Sequence, residues 1–332
     1  MFQQMKKLVY VCAVFALVSA VADTEKKVGV IGLDTSHALA FTELMNVKKD
    51  PACAGFRVTA AYQWGSKDIV SSTNRYEKYV PKMQSMGVEI VPSIAALLQK
   101  VDVVLLETND GREHFEQAKE VFASGKLVFI DKPLAHNLKD AIKIYEAGKA
   151  VGAKWFSSSA LRYSDVAVKA RAGEYGPIRG AALTSPSPLE EQGTHNFYTW
   201  YGIHGFEPLV AIMGMGVDKV SCFRNDTEDV IIATWKDGRM GELRLMRKGG
   251  VYTGYVLPAK RPKGWKDPVV VFGGYQGYLP LLKEIVEFFR TGVVPVPNEE
   301  TLEIMAFMEA AEMSAKRGGA PVTIAEAMAA CR

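Results

Sequence analysis

Cysteine is scarce in this chain: among 332 residues there are four, Cys12, Cys53, Cys222 and Cys331. They lie far apart, without the paired spacing of a zinc site or a disulfide-stapled scaffold. With Cys12 inside an N-terminal apolar segment, the other three can form at most one disulfide within a chain. Neither sign of charge is in surplus. The formal net charge of +3 falls to +1 without Lys6 and Lys7, which argues against a surface built for nucleic acid or an anionic membrane. Histidine is also rare, with five residues, His37, His114, His136, His195 and His204. No two stand at a ligand spacing such as His-x-x-x-His, so no metal is expected. Repeats, low-complexity tracts and long charge blocks are missing. A small-molecule partner is what this composition leaves.

The longest uncharged apolar stretch, Leu8 to Ala22, lies in the N-terminal segment MFQQMKKLVYVCAVFALVSAVA, residues 1–22. The segment has a basic start at Lys6 and Lys7, an apolar run from Leu8 to Ala22, and small residues Ala20 and Ala22 near its end. This is the pattern of a cleaved secretory signal, and it predicts a periplasmic or secreted protein. Leu8 to Ala22 is shorter than the ~20 residues that span a bilayer, so stable membrane insertion is not expected. Val9, Tyr10 and Val11 do not resemble the small residues before a lipoprotein cysteine. The 310 residues that follow suffice for two domains, each with its own core.

The first half alternates strand-like and helix-like segments. Val28 to Gly32, Phe56 to Tyr62, VEIV (88–91), VDVVLLE (101–107) and KLVFID (126–131) read as strands. Ala38 to Val47, SIAALLQK (93–100) and EHFEQAKEVFASG (113–125) read as helices. Such alternation predicts a parallel sheet covered by helices on both faces, a Rossmann-like domain over 23–155. Beyond it the pattern changes. GAALTS (180–185), VIIATWKDG (230–238) and GELRLMRKG (241–249) are closely spaced strands, and LPLLKEIVEFFRTG (279–292) and ETLEIMAFMEAAEMSAKRG (300–318) are long helices. A second α/β domain over 156–332, with a mostly antiparallel open sheet, is expected to supply loops over the carboxyl ends of the first.

The stretch VGVIGLDTSH, residues 28–37, begins like a nucleotide-binding turn. Gly32 ends an apolar strand as the first glycine of a dinucleotide fingerprint would, but Asp34 and His37 stand where further glycines belong. Asp34, Thr35 and Ser36 all suit a helix N-cap. Asp34 disfavours phosphate unless its side chain turns back to cap the helix, whereas backbone N–H groups with the hydroxyls of Thr35 and Ser36 can hold one. After the second strand the chain reads Tyr62-Gln63-Trp64-Gly65-Ser66-Lys67. Gln63 can hydrogen-bond a ribose, and Ser66 with Lys67 can receive a 2′-phosphate, so NAD and NADP both stay open. An ordinary polar loop explains the same residues.

The order of the pieces resembles the Gfo/Idh/MocA family of NAD(P)-dependent oxidoreductases over nearly the whole chain after residue 22. VDVVLLETNDGREHFEQAKEVFASGKLVFIDKPLAHNLKDA (101–141) is similar to the family's strand, histidine-containing loop, helix and Glu-Lys-Pro motif, here Asp131-Lys132-Pro133. SSSALRYS (157–164) resembles the segment carrying an Arg before an aromatic, here Arg162 and Tyr163. GEYGPIRGA (173–181) resembles the entry to the substrate domain, and WYGIHGFEPLVAIMG (200–214) the catalytic helix with His204.

The resemblance implies Lys132 and His204 as catalytic residues. It implies Gly32, Asp34, Thr35, Ser36, His37, Gln63, Asn109, His114, Asp131 and Lys132 at the cofactor, and Arg162, Tyr201 and Glu207 at the substrate. Hydride transfer from a carbinol carbon needs a base, a charge for the developing alkoxide and a carbon held against the nicotinamide, work that Lys132 and His204 can share. Family members commonly carry an Asp four residues before this His, where this chain has Trp200. His136 and His195 read as structural or solvent-exposed residues.

The expected function is an oxidoreductase acting on a sugar, cyclitol or glycoside hydroxyl, redox-neutral overall if export forces it to keep a tightly held cofactor. The alternative is a cofactor-free carbohydrate-binding or scaffold protein on the same fold. A lyase or hydrolase of oxidised glycosides using the same residues is a third reading. By analogy with the family, the protein is expected to be a homo-oligomer.

Overall fold

The computed structural model describes residues 25–188, 198–259, 270–273 and 276–332. The N-terminal apolar segment and His195 lie outside the described residues. Six strands form the first sheet: β1 (Lys26–Ile31), β2 (Phe56–Tyr62), β3 (Glu89–Val91), β4 (Val103–Leu106), β5 (Leu127–Asp131) and β6 (Trp155–Ser158). All pair in parallel, in the order β3-β2-β1-β4-β5-β6. Strands covered on both faces should be apolar throughout. Accordingly every residue of Val103–Leu106 is buried, as are Val28, Val30 and Ile31. The strand order reverses between β1 and β4, and this reversal opens the crevice in which ligands of such sheets lie.

The second sheet contains β7 (Ile178–Pro186), β8 (Val217–Arg224), β9 (Glu228–Trp235), β10 (Met240–Met246), β11 (Thr253–Pro258), β12 (Val270–Gly273) and β13 (Val322–Thr323). Its order is β12-β11-β7-β10-β9-β8-β13, antiparallel except for the pairing of β10 with β7. Alternation along β9, with one face buried and the other half-buried, is what a sheet covered on one side requires. The apolar helix Ile203–Met213 lies on the buried face, against β7 and β10.

One boundary and one packing arrangement differ from the sequence expectation. The first sheet runs to Ser158 because Trp155 and Phe156, both fully buried, complete it as β6. The helix Leu279–Thr291 packs away from its sequence neighbours. Its Leu281, Leu282, Ile285, Val286, Phe288 and Phe289 join one cluster with Val30, Phe41, Leu105, Phe129 and Phe156 of the N-terminal domain. A helix with a strong apolar face goes where uncovered apolar surface remains, and sequence position does not reveal where that is. The helix Asn298–Lys316 covers β8 and also touches the helix Leu138–Ala150 and β6, which ties the two sheets together. Among the described residues no helix is long and apolar enough to cross a membrane, and Cys53, Cys222 and Cys331 are unpaired.

Candidate active site

The loop after β1 keeps its tight turn. Gly32 has φ +87°, and a Cβ there would lie 2.6 Å from the backbone of Thr108, so only glycine fits. Thr35 caps the following helix, Ser36–Thr42, its Oγ1 accepting from the Ala38 N–H at 3.4 Å. Asp34 does not cap it. Its carboxylate is fully buried and accepts the N–H of Asn109 at 3.0 Å and that of Ser66 at 3.3 Å. It thereby links the loops after β1, β2 and β4. Asp34 had been expected either to cap the helix or to repel phosphate, and the correction has a simple cause: two converging backbone donors outcompete one helix end.

Burial raises the Asp34 carboxyl to about 6 even though these N–H groups, together with Ser72, pull it down. A carboxyl that titrates higher in the folded chain than in the unfolded one favours folding only while it is protonated. Its contribution is complete below about pH 4 and is lost as the pH rises to about 6, a change on the order of 3 kcal/mol. Unfolding free energies of the wild type and Asp34→Asn, measured from pH 4 to 7, should therefore draw apart with rising pH and then run parallel. A constant difference across that range would refute the assignment.

A cavity of about 410 Å³ opens at the strand-order reversal, between the domains. Ser36, His37, Asn109 and Lys132 line it from the N-terminal side, and Trp200, Tyr201, His204 and Tyr252 from the C-terminal side. Lys132 follows β5 directly, and its peptide bond to Pro133 is cis. His204 sits at the start of the helix Ile203–Met213, with its Nδ1 2.8 Å from Ser159 Oγ and its ring edge-on to Tyr201 and Tyr252. Its Nε2 has no partner among the described residues. Burial, reinforced by the charges of Lys132 and His37, holds its pKa well below the ordinary imidazole value, so His204 is neutral at pH 7.

Several expected site residues are elsewhere. Gly32, Asp34, Thr35, Gln63, His114 and Asp131 do not line the cavity. His114 is fully buried, with Nδ1 3.1 Å from the Leu134 carbonyl and Nε2 2.7 Å from that of Thr108, and it fastens the loop after β4 to the one after β5. Arg162 and Glu207, expected at the substrate, are turned away from it. Arg162 Nε donates to Glu207 Oε1 at 2.7 Å, and its Nη1 lies 2.6 Å from Glu300 Oε1. The other Glu207 oxygen accepts the Ser159 N–H at 2.7 Å. Two carboxylates of the C-terminal domain thus outbid the cavity for this guanidinium.

The sequence also concealed contributors. Ser71, in the short helix Val70–Thr73 after β2, and Arg75, in the turn that follows it, reach the cavity, as does Tyr278, whose hydroxyl lies 2.8 Å from Ser36 Oγ. Nothing in their local pattern marks them, since the chain's return path brings them in. Beneath His37, its Nδ1 lies 2.9 Å from Asp131 Oδ2 and 3.8 Å from Glu107 Oε2. Burial, with the Asp131 charge added, pushes the Glu107 carboxyl well above the usual range. Burial acts on Asp131 too, but His37 and Lys132 outweigh it and hold that carboxyl low.

Comparison with known proteins places this geometry. Residues 26–158 match the model of the GFO_IDH_MocA family, described as an oxidoreductase family with an NAD-binding Rossmann fold. No curated protein matches the sequence. Among solved structures, a "probable dehydrogenase" from Thermotoga maritima superposes with a TM-score of 0.73 at 20% identity, covering 91% of this chain and 99% of that one. Scyllo-inositol dehydrogenase from Lactobacillus casei, with bound NAD(H) and scyllo-inositol, gives 0.68 at 14% identity over 91% and 100% of the two chains. An NAD-binding oxidoreductase from Klebsiella pneumoniae gives 0.68 at 16% identity over 90% and 99%. At these identities the likeness is one of fold. Over residues 26–158 the chain is therefore similar to the Gfo/Idh/MocA oxidoreductase family with its NAD-binding Rossmann fold, and over the remainder the likeness is one of fold.

Proposed function

We propose that the protein is an NAD(P)-dependent oxidoreductase acting on a hydroxyl of a small polyol or sugar. The observation that carries this reading is that Lys132 of one domain and His204 of the other line a single cavity at the strand-order reversal. The residues present suit the cofactor. The turn at Gly32 admits no Cβ, and Ser36, Ser71, Arg75 and Asn109 put hydroxyls, an amide and a cation on the cavity wall. That donor set fits phosphate and ribose oxygens. Arg75, whose Nη1 donates to the Asp34 carbonyl at 3.4 Å, adds a cation beside the turn for a phosphate to meet.

When bound, the nicotinamide supplies the hydride acceptor. Lys132 steadies the negative charge that grows on the substrate oxygen. His204, neutral and anchored through Ser159, accepts the hydroxyl proton and passes it on, since its low basicity keeps it from retaining the proton. Trp200 stands where the resemblance implied an Asp, so the proton route rests on these two residues. The rings of Trp200, Tyr201 and Tyr252 offer apolar faces to the C–H surface of a cyclic polyol. If residues 1–22 direct export, as their pattern suggests, the cofactor would travel with the folded protein.

Titration of the full chain with NADH and NADPH, followed by nucleotide fluorescence, should give saturable micromolar binding. A panel of cyclitols and sugars should then reduce the oxidised cofactor. A second reading, a carbohydrate-binding protein without dinucleotide, is favoured by the Asp34 linkage alone. Absence of binding at millimolar dinucleotide, with retained sugar binding, would establish it instead.

A further inference from the structure

His37, Glu107 and Asp131 are distant in sequence, and the fold brings them together at the carboxyl ends of β4 and β5, under the start of the helix Ser36–Thr42. Each offers one ligand atom, these atoms lie within 4.8 Å of one another, and all three residues are buried. His37 Nδ1, Glu107 Oε1 and Asp131 Oδ2 have no hydrogen-bond partner. The 2.9 Å approach of His37 to Asp131 therefore lacks the alignment of a hydrogen bond, which an imidazolium–carboxylate pair this close would adopt. Three polar atoms without an aligned hydrogen bond converge on one buried point, so the attraction between His37 and Asp131 offsets only part of their desolvation cost.

We propose that these three side chains bind a divalent transition-metal cation. Ligands about 2.1 Å from a tetrahedral or octahedral ion stand roughly 3.0–3.5 Å apart. His37 Nδ1 lies 2.9 Å from Asp131 Oδ2 and 3.8 Å from Glu107 Oε2, and the ligand atoms of all three residues fall within 4.8 Å of one another, so a small turn of the Glu107 carboxylate brings the set to that spacing. One imidazole with two carboxylates and no sulfur favours Zn²⁺, Mn²⁺ or Fe²⁺ over Ca²⁺, Mg²⁺ or Cu⁺.

The residues behind the cluster already orient it. Asp131 Oδ1 accepts the Lys132 N–H at 2.7 Å, which leaves Oδ2 turned inward, and Thr35 Oγ1 donates to Glu107 Oε2 at 3.4 Å. The His37 ring is stacked on Phe41 and edge-on to Tyr278, at centroid distances of 5.1 and 4.5 Å. The Lys132 ammonium contributes one positive charge nearby but makes no hydrogen bond to either carboxylate among the described residues. Because His37 also lines the cavity, the cation would sit at its floor. This site does not depend on the dinucleotide reading, since metal content is measured without turnover.

Untagged full-length protein, stripped with a chelator and dialysed, is to be titrated with Zn²⁺ and separately with Co²⁺, and the retained metal counted by mass spectrometry. One equivalent per chain is expected, held at least about 100-fold more weakly by Glu107→Gln and by His37→Gln, a larger loss than removal of an outer-shell partner brings. X-ray absorption of the Co²⁺-loaded wild type should show one imidazole and otherwise oxygen ligands, and it decides alone if a variant does not fold. A stripped wild type that retains no metal would show that the three side chains share protons, and the proposal would fail. Equal retention by folded variants, or a spectrum without imidazole, would place the metal elsewhere and equally overturn it.

Discussion

Lys132→Ala should lower turnover of the polyol being oxidised by about 10²–10⁴-fold while the chain stays folded. Lys132 is half-buried on the cavity wall, and among the described residues no hydrogen bond depends on its ammonium. Its removal therefore disturbs chemistry before packing. Because it acts on charge that develops during the reaction, the loss should fall mainly in kcat, with dinucleotide affinity changed only a few-fold. Lys132→Arg separates the two roles a lysine can play here. A guanidinium keeps the charge but does not give up a proton near neutrality, so partial rescue assigns charge stabilisation and complete loss assigns proton transfer. Full activity in Lys132→Ala would remove this residue from the mechanism and, with it, the main support for the oxidoreductase reading.

The largest expected effect on stability is at Arg162. Arg162→Met leaves the carboxylates of Glu207 and Glu300 without the cation between them, and the guanidinium is fully buried. Removing one partner of such a group costs about 3–5 kcal/mol, enough to lower the thermal midpoint by roughly 10 °C. Glu207 keeps the Ser158 hydroxyl and the Ser159 N–H, so the double variant Arg162→Met/Glu207→Gln should recover part of the loss. Kinetics below the melting temperature distinguish this role from substrate binding: KM for the polyol should stay near the wild-type value. A raised KM at unchanged stability would return Arg162 to the substrate.

Much of this architecture is legible in the sequence because local pattern and burial agree there. The apolar runs at 28–32, 101–107 and 126–131 read as covered strands, and Lys132, at a strand end before a proline, is marked chiefly by the family resemblance of Asp131-Lys132-Pro133. The strands Val217–Arg224, Thr253–Pro258 and Val270–Gly273 escaped notice, the first because its alternation is interrupted by lysine and arginine. Residue type misled at Arg162 and Glu207. Both looked like polar site residues, but whether a buried charge faces a ligand or its own counter-ion is settled by tertiary contact. The triad of His37, Glu107 and Asp131 was invisible for the same reason, as a spacing rule sees only ligands that are neighbours along the chain.

The return of the helix Leu279–Thr291 to the first sheet bears on how such a protein can change over evolution. The stretch that matches the family model, residues 26–158, is not a separable piece of architecture. Its sheet is roofed by a segment encoded more than a hundred residues later, and Tyr278, at the edge of that roof, touches the loop where a ligand would enter. Recombination that exchanged the second domain between relatives would uncover Phe129 and Phe156 and loosen the first domain's own binding loop. A second domain exchanged into this fold would have to bring its own matching roof for the first sheet.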